Sequence, residues 1–235
     1  MSKRKPKKER QYNNEQQNQF QLKSVQPLTV NQRKTFDSYE KGNNLVLHGY
    51  AGTGKTFVTC FLAANEVVSG NSIYEKIVII RSVVPCRDIG FLPGTEKEKA
   101  KVYEEPYKEI FDDLYGTHNA YDFLKMQKKV EFTTSSFLRG MTFNNCILIL
   151  DEAENFTFQE LDTVITRVGR NTKIMICGDF RQTDFRKKHE QEGITQLMRI
   201  TKSMKSFDHI EFMQDDIVRS GLVKEYIITR TEMGF

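Results

Sequence analysis

Three stretches of the chain carry side chains suited to phosphate chemistry. The first is "GYAGTGKT", Gly49 to Thr56, which fits G-x-x-x-x-G-K-[ST]. Gly49, Gly52 and Gly54 allow the backbone to turn its N–H groups toward an anion, with Tyr50, Ala51 and Thr53 completing the cradle. A helix starting after Gly54 would add the partial positive charge of its N-terminus. Lys55 has the reach for β- and γ-phosphates, and the Thr56 hydroxyl is a ligand for Mg2+.

The second stretch is "CILILDEAEN". An apolar run ending in Asp151-Glu152 reads as a buried strand whose last residues face the loop. Asp151 would hold Mg2+ through water, and Glu152 would orient or deprotonate an attacking water. A water-activating residue separates two readings, because a hydrolase needs one and a small-molecule kinase does not. The third stretch is "IMICGDFRQTD". Asp179 ends its strand, and the amide of Gln182 can both donate to a γ-phosphate and accept from water. Arg139, Arg167, Arg181 and Arg219 are candidate partners for a transferring phosphoryl group, in cis or across a subunit boundary. Gln32, just ahead of the first strand, can read an adenine edge by a two-way hydrogen bond.

The elements that must position these residues alternate along the chain. Thr29 caps a helix from about Val30 to Lys41, closed by Gly42. "NNLVLHG" is a strand feeding the glycine loop, and "TFVTCFLAANEVVSG" is an apolar helix ended by Gly70. "KIVIIR", "KVEFTT", "CILILD", "TKIMICGD" and "FDHIEFM" read as further strands. Helices fall near Thr95–Tyr115, on to about Lys128, near Phe158–Gly169, and over the end of "RKKHEQEGITQLMRI". After the last strand comes a short helix carrying Arg219, then "EYIITR". Strands apolar on both faces belong in a parallel sheet covered by helices. The predicted fold is therefore α/β, three layers around a mostly parallel sheet.

Length and charge narrow the class. The chain has 235 residues, enough for one α/β domain with a sizeable core. Residues 1–24 are polar and basic and are expected to be a disordered arm, leaving 25–235 as the domain. The first ten residues carry six basic side chains against Glu9, and the whole chain is +4, so the remainder sums to about −1. The arm is suited to an anionic partner, whereas the body lacks the general basicity of many nucleic-acid binders. No run of 18 apolar residues and no leader-like apolar core are present, which predicts no membrane span and a cytoplasmic setting. Cys60, Cys86, Cys146 and Cys177 are widely spaced and expected to be reduced; the four histidines have no ligand spacing.

With "PLTVNQ", "GYAGTGKT", "RSVVPCRDIGFLPGTEKEK", "SSFLRGMTFNNCILILDEAEN", "ITRVGRN", "GDFRQTD" and "DIVRSGLV" in order from about Pro27 to Tyr226, the chain resembles the PhoH family of phosphate-starvation-inducible P-loop ATPases. The resemblance implies a RecA-like fold similar to a superfamily-1 helicase motor domain, with ATP and Mg2+ as cofactors. It implies Gln32 as adenine reader, Gly52 to Thr56 around the phosphates, Asp151 and Glu152 at Mg2+ and water, and Gln182 at the γ-phosphate. It further implies single-stranded RNA or DNA as partner, with Phe91–Gly94 and Ser136–Gly140 as strand-tracking loops. Self-association into a ring, a hexamer, would let Arg167, Arg219 or both act in trans. The chain departs from the family at Ser82-Val83, where Pro is more usual, and at Glu154, where Gln is usual. Glu154 is expected to add negative charge near the Mg2+ edge. The compact length resembles the bacteriophage-borne members, which would place it in the cytoplasm of an infected bacterium. The competing readings are an ATP-binding scaffold or regulator with slow turnover and, behind it, a small-molecule kinase.

Overall fold

The structure, a computed structural model, describes residues 20–82, 96–138, 140–180 and 188–234. Its elements run α1 (Val30–Glu40), β1 (Asn44–Gly49), α2 (Lys55–Val68), β2 (Lys76–Arg81), α3 (Glu96–Tyr115) and α4 (Ala120–Met126). They continue with β3 (Val130–Thr134), β4 (Cys146–Asp151), α5 (Phe158–Ile165), β5 (Thr172–Gly178), α6 (Lys188–Lys202), β6 (Phe207–Phe212) and α7 (Gly221–Glu232).

The six strands form one sheet in the order β3-β2-β4-β5-β1-β6. All five pairings are parallel. The physical cause is visible in the strands themselves. β4 is buried at all six positions and β2 at its four central ones. Such strands need cover on both faces, and helical crossovers supply it. The period of two then divides the side chains. Leu45, Leu47, Ile77, Ile79, Ile147, Ile149, Met175 and Cys177 join one cluster with α2, α3 and α4 residues such as Val58, Phe111 and Tyr121. Val46, Val78, Ile80, Leu148, Leu150, Ile174 and Ile176 join a second cluster with Leu161 and Val164 of α5 and Ile194 and Leu197 of α6. Each buried side chain of this size stabilises the fold by about 1.5–3 kcal/mol relative to exposure. Cys60, Cys146 and Cys177 are buried free thiols within these layers.

The helices begin and end close to where the sequence places them. Thr29 caps α1, its side chain accepting from the Gln32 N–H. Thr157 caps α5 in a capping box with Glu160. Two readings differ. Packing begins ahead of Val25: Phe20 stacks on Phe123 with ring centroids 4.1 Å apart, and the Lys23 N–H donates to the Leu114 carbonyl at 2.9 Å. Arg219 lies in the turn before α7 rather than on a helix, and "EYIITR" falls inside α7. None of the residues of α7 is buried, so its apolar residues give no periodicity that points to a core. No helix among the described residues is long and apolar enough to cross a membrane.

β6 fixes the phosphate loop from outside the sheet centre. It pairs with β1 over the whole strand, Asn44 with Phe207 through Gly49 with Phe212. At the end of that ladder Gly49 has φ +115°, and a Cβ there would lie 2.1 Å from the Phe212 carbonyl oxygen. Neither the dihedral nor the space accepts a side chain. Gly49→Ala is expected to lower the unfolding free energy by roughly 2–4 kcal/mol through overpacking and backbone strain. Chemical denaturation followed by circular dichroism checks this.

Candidate phosphate-binding site

The order β4-β5-β1 sets the C-terminal ends of three strands side by side. This is the edge of an open parallel sheet at which ligands bind. β1 delivers Gly49–Gly54, β4 delivers Asp151 and Glu152, and β5 delivers Asp179.

The loop takes its shape from glycines in the left-handed region, Gly52 at φ +72° and Gly54 at φ +82°. Thr53 is buried, and its hydroxyl donates to the Tyr50 carbonyl at 2.9 Å. Tyr50 is also buried; its N–H donates to the Phe212 carbonyl at 3.1 Å, and its hydroxyl accepts from the Gln214 amide at 3.1 Å. Lys55 opens α2. Its ammonium donates to the carbonyls of Gly49 at 3.0 Å and Tyr50 at 2.7 Å. Burial lowers its pKa from the ordinary lysine value, with Asp179 the largest opposing influence.

Across the edge stands Asp151, buried, with both carboxylate oxygens occupied. The Thr56 hydroxyl donates to Oδ1 at 2.8 Å. The Tyr107 hydroxyl, from α3, donates to Oδ2 at 2.8 Å. Burial pushes the Asp151 pKa up, against the lowering effect of these two hydrogen bonds. Thus two residues 95 positions apart in sequence meet through one hydrogen bond. A hydroxyl and a carboxylate are hard oxygen ligands, the chemistry that suits Mg2+. Among the described residues there is no cluster of three or more His, Cys, Asp or Glu that could hold a metal alone. A metal in this corner would therefore draw further ligands from phosphate and water.

Glu152 has φ +50°, a left-handed conformation that turns the chain sharply off β4. Its carboxylate forms an ion pair with Arg81, the last residue of β2. Burial opposes the charge on that arginine, but Glu152 and its neighbours more than offset this and hold its pKa above the usual value. Glu154, on the same turn, reaches the third strand. Its Oε2 accepts from the Asp179 N–H at 3.0 Å. A Cβ on Gly178 would stand 2.3 Å from the Phe180 ring and 2.8 Å from Glu154 Oε2, so a side chain there would have to displace both. Burial raises the Glu154 carboxyl to about 7. The extra negative charge expected from the sequence is therefore reduced near neutral pH.

The remaining sequence-predicted residues divide. Gln32 is brought to the loop. It is buried, donating from its amide to the Thr53 carbonyl at 3.0 Å and accepting from the Leu28 N–H at 2.8 Å. Arg219 is also at the loop, in the same chain: its Cγ lies 2.8 Å from where a Cβ on Gly52 would stand, and the Val218 N–H donates to the Gly52 carbonyl at 3.1 Å. Arg167 is not brought there. Its carbonyl accepts from the Phe143 N–H and its guanidinium donates to the Met141 carbonyl at 3.2 Å, beside the N-terminal ends of β4 and β5. Gln182, Arg139 and Arg181 lie outside the described residues, as does Phe91–Gly94. Sequence reasoning missed Arg81, Tyr103 and Tyr107. The i, i+4 spacing of the two tyrosines on one face of a charged helix was the available signal.

A glycine loop between a buried strand and a helix, with a Thr–Asp contact at the end of β4 and one strand, β5, between β4 and β1, defines a RecA-like P-loop nucleotide-binding fold. Residues 24–230 match the family model described as PhoH-like protein, and the chain belongs to that family. It is 32% identical over 207 residues to the PhoH-like protein of Bacillus subtilis (strain 168), covering 87% of this chain and 63% of the relative. It is 30% identical over 176 residues to Protein PhoH of Escherichia coli (strain K12), covering 74% and 49%. The chain therefore spans 63% or less of the length of these two relatives. Among solved structures it is similar to the large terminase from a thermophilic bacteriophage, with TM-score 0.54 and 13% identity over 86% of this chain and 50% of that one. At that identity the likeness concerns the fold alone.

The Glu154 geometry has a pH consequence. Its folded-state pKa of about 7 lies above the ordinary 4.5, so between these values the folded chain binds more protons than the unfolded one. Stability from this group is full below the lower value and is lost as pH rises through the higher one. The stability of Glu154→Gln relative to wild type is expected to rise across that window and to level off above it. Urea unfolding of both proteins from pH 5 to pH 8 measures the difference, for which the ordinary and raised values of 4.5 and about 7 set the limits.

Proposed function

We propose that the protein is a Mg2+-dependent ATPase of the PhoH type that acts on single-stranded RNA or DNA as a ring-shaped, helicase-like motor. One observation carries the hydrolytic part: the Thr56–Asp151 contact at 2.8 Å, with Glu152 as the next residue off the strand. That arrangement groups a hydroxyl and two carboxylates at the sheet edge that also carries Lys55, which supports a hydrolytic reading. Gly49 to Thr56 cradle the triphosphate, and Lys55 leaves the loop carbonyls for the β- and γ-phosphates. Thr56, and Asp151 through water, would hold Mg2+, which when bound would screen phosphate charge. Glu152 accepts a proton as a water oxygen forms its bond to the γ-phosphorus, and the bond to the β–γ bridging oxygen breaks to leave ADP.

Gln182 is assigned the γ-phosphate contact, and Asp179, just after β5, is assigned to the nucleotide-binding edge. Gln32 is assigned to adenine; its amide would exchange one loop bond for the base edge. The proximity of Arg219 to Gly52 supports a role within its own subunit. The position of Arg167, remote from its own loop, supports a role across a subunit boundary in a hexameric ring. The basic N-terminal residues favour a nucleic-acid partner. The slow-turnover scaffold reading gains from the Arg81–Glu152 ion pair, which occupies the catalytic carboxylate.

Lys55→Ala is expected to lose nucleotide affinity, and Glu152→Gln to keep it while turnover falls at least about 100-fold. Fluorescent-nucleotide titration and phosphate release, each with and without single-stranded RNA, separate the two. ATP bound tightly with no phosphate released by wild type under any condition selects the scaffold. Native mass with and without ATP tests the ring.

A further inference from the structure

Glu152 is tied to an arginine that none of the phosphate motifs contains. Arg81 ends β2, and the β2–β4 register sets it beside Asp151. Its side chain is 16% exposed and pairs with Glu152 Oε2. The Asn155 amide donates to the same oxygen at 3.1 Å. The guanidinium also lies over the Tyr103 ring, 5.5 Å from its centroid. A partly buried pair with an aromatic platform holds its geometry better than an exposed pair.

The direction of this hold matters. β4 lies between β2 on one side and β5, then β1, on the other. The phosphate loop follows β1. Arg81 therefore draws the Glu152 carboxylate toward the strand on the side away from the loop. A general base must come within hydrogen-bond reach of the water it activates. To act on a water at the γ-phosphate, Glu152 has to give up Arg81. The helix α3 touches Asp151 directly and Glu152 only through Arg81: Tyr103 seats Arg81, and Tyr107, one turn on, donates to Asp151 at 2.8 Å.

We propose that Arg81, seated on Tyr103, is a positioning residue that restrains Glu152 away from the phosphate loop, so that release of this ion pair gates hydrolysis. The inference rests on the hydrolytic reading above. It makes α3 the element through which a bound ligand or a neighbouring subunit would set the rate.

The test uses the full chain and measures steady-state ATP turnover and fluorescent-nucleotide affinity. Arg81→Gln is expected to raise basal kcat about 5-fold, equivalent to about 1 kcal/mol of barrier, with KM and nucleotide Kd unchanged within about 2-fold. Tyr103→Leu keeps both charges and removes the platform; a rise of about 2-fold is expected. The gain must vanish when Glu152→Gln is combined with Arg81→Gln, which a general loosening of the fold would not produce. Wild-type turnover that Arg81→Gln leaves unchanged or lowers overturns the restraint and spares the hydrolytic reading. No turnover in wild type, Arg81→Gln or Tyr103→Leu overturns both. Should Arg81→Gln fail to fold by circular dichroism, the Tyr103→Leu rate decides, and a folded variant with no rise overturns the proposal.

Discussion

The site is organised around the Asp151 carboxylate and the two hydroxyls that fill it. A buried carboxylate without donors would carry a large desolvation cost. Thr56 from α2 and Tyr107 from α3 offset part of that cost, each at 2.8 Å. In doing so they lock two crossover helices to the end of one strand. α2 cannot shift without moving the phosphate loop, whose last glycine precedes it. α3 cannot shift without exposing Asp151. The sheet order then makes this carboxylate central: β4 has β2 on one side and β5 on the other.

Each of those neighbours adds its own tie to the turn after β4. On the β2 side Arg81 takes Glu152, and on the β5 side Glu154 takes the Asp179 N–H. The turn is thus pulled in two directions by alternate residues, Glu152 and Glu154. Between β4 and these two ties, Glu152 itself has a left-handed conformation. A third tie comes from β6, whose seam with β1 fixes where the loop begins. Gln32 and Arg219 then approach the loop from α1 and from the turn before α7. The loop is therefore contacted by segments from both ends of the chain, which explains why family motifs are spread over residues 24–230.

Much of this was legible in the sequence. The strands were found because a parallel sheet covered on both faces demands near-continuous apolar runs, and "CILILD" or "KIVII" suit little else. The helix cap at Thr29 and the glycine stops are local effects with local signals. The glycine turn and the carboxylates after "CILIL" were legible as positions because glycines and acidic residues directly after an apolar run mark a strand's end. The turn carrying Arg219 was misread as helix because exposed α7 lacks the apolar periodicity that separates helix from loop. Phe20 and Leu22 were hidden in a polar segment, where two apolar residues give no period.

What the sequence alone determined is the inventory: an α/β order of elements, a phosphate loop, a carboxylate pair and the family they mark. These depend on residue type and short spacing, which the chain states directly. What only the tertiary structure decided is which side chains share the edge. Nothing in the sequence says that β2 lies next to β4, so nothing there joins Arg81 to Glu152 or distinguishes Tyr107 from the other tyrosines. Nor does it say that Arg219 meets its own loop while Arg167 lies at the far end of the strands. Strand order is fixed by how the crossover helices pack on both faces of the sheet, and that is a property of the whole core rather than of any one segment.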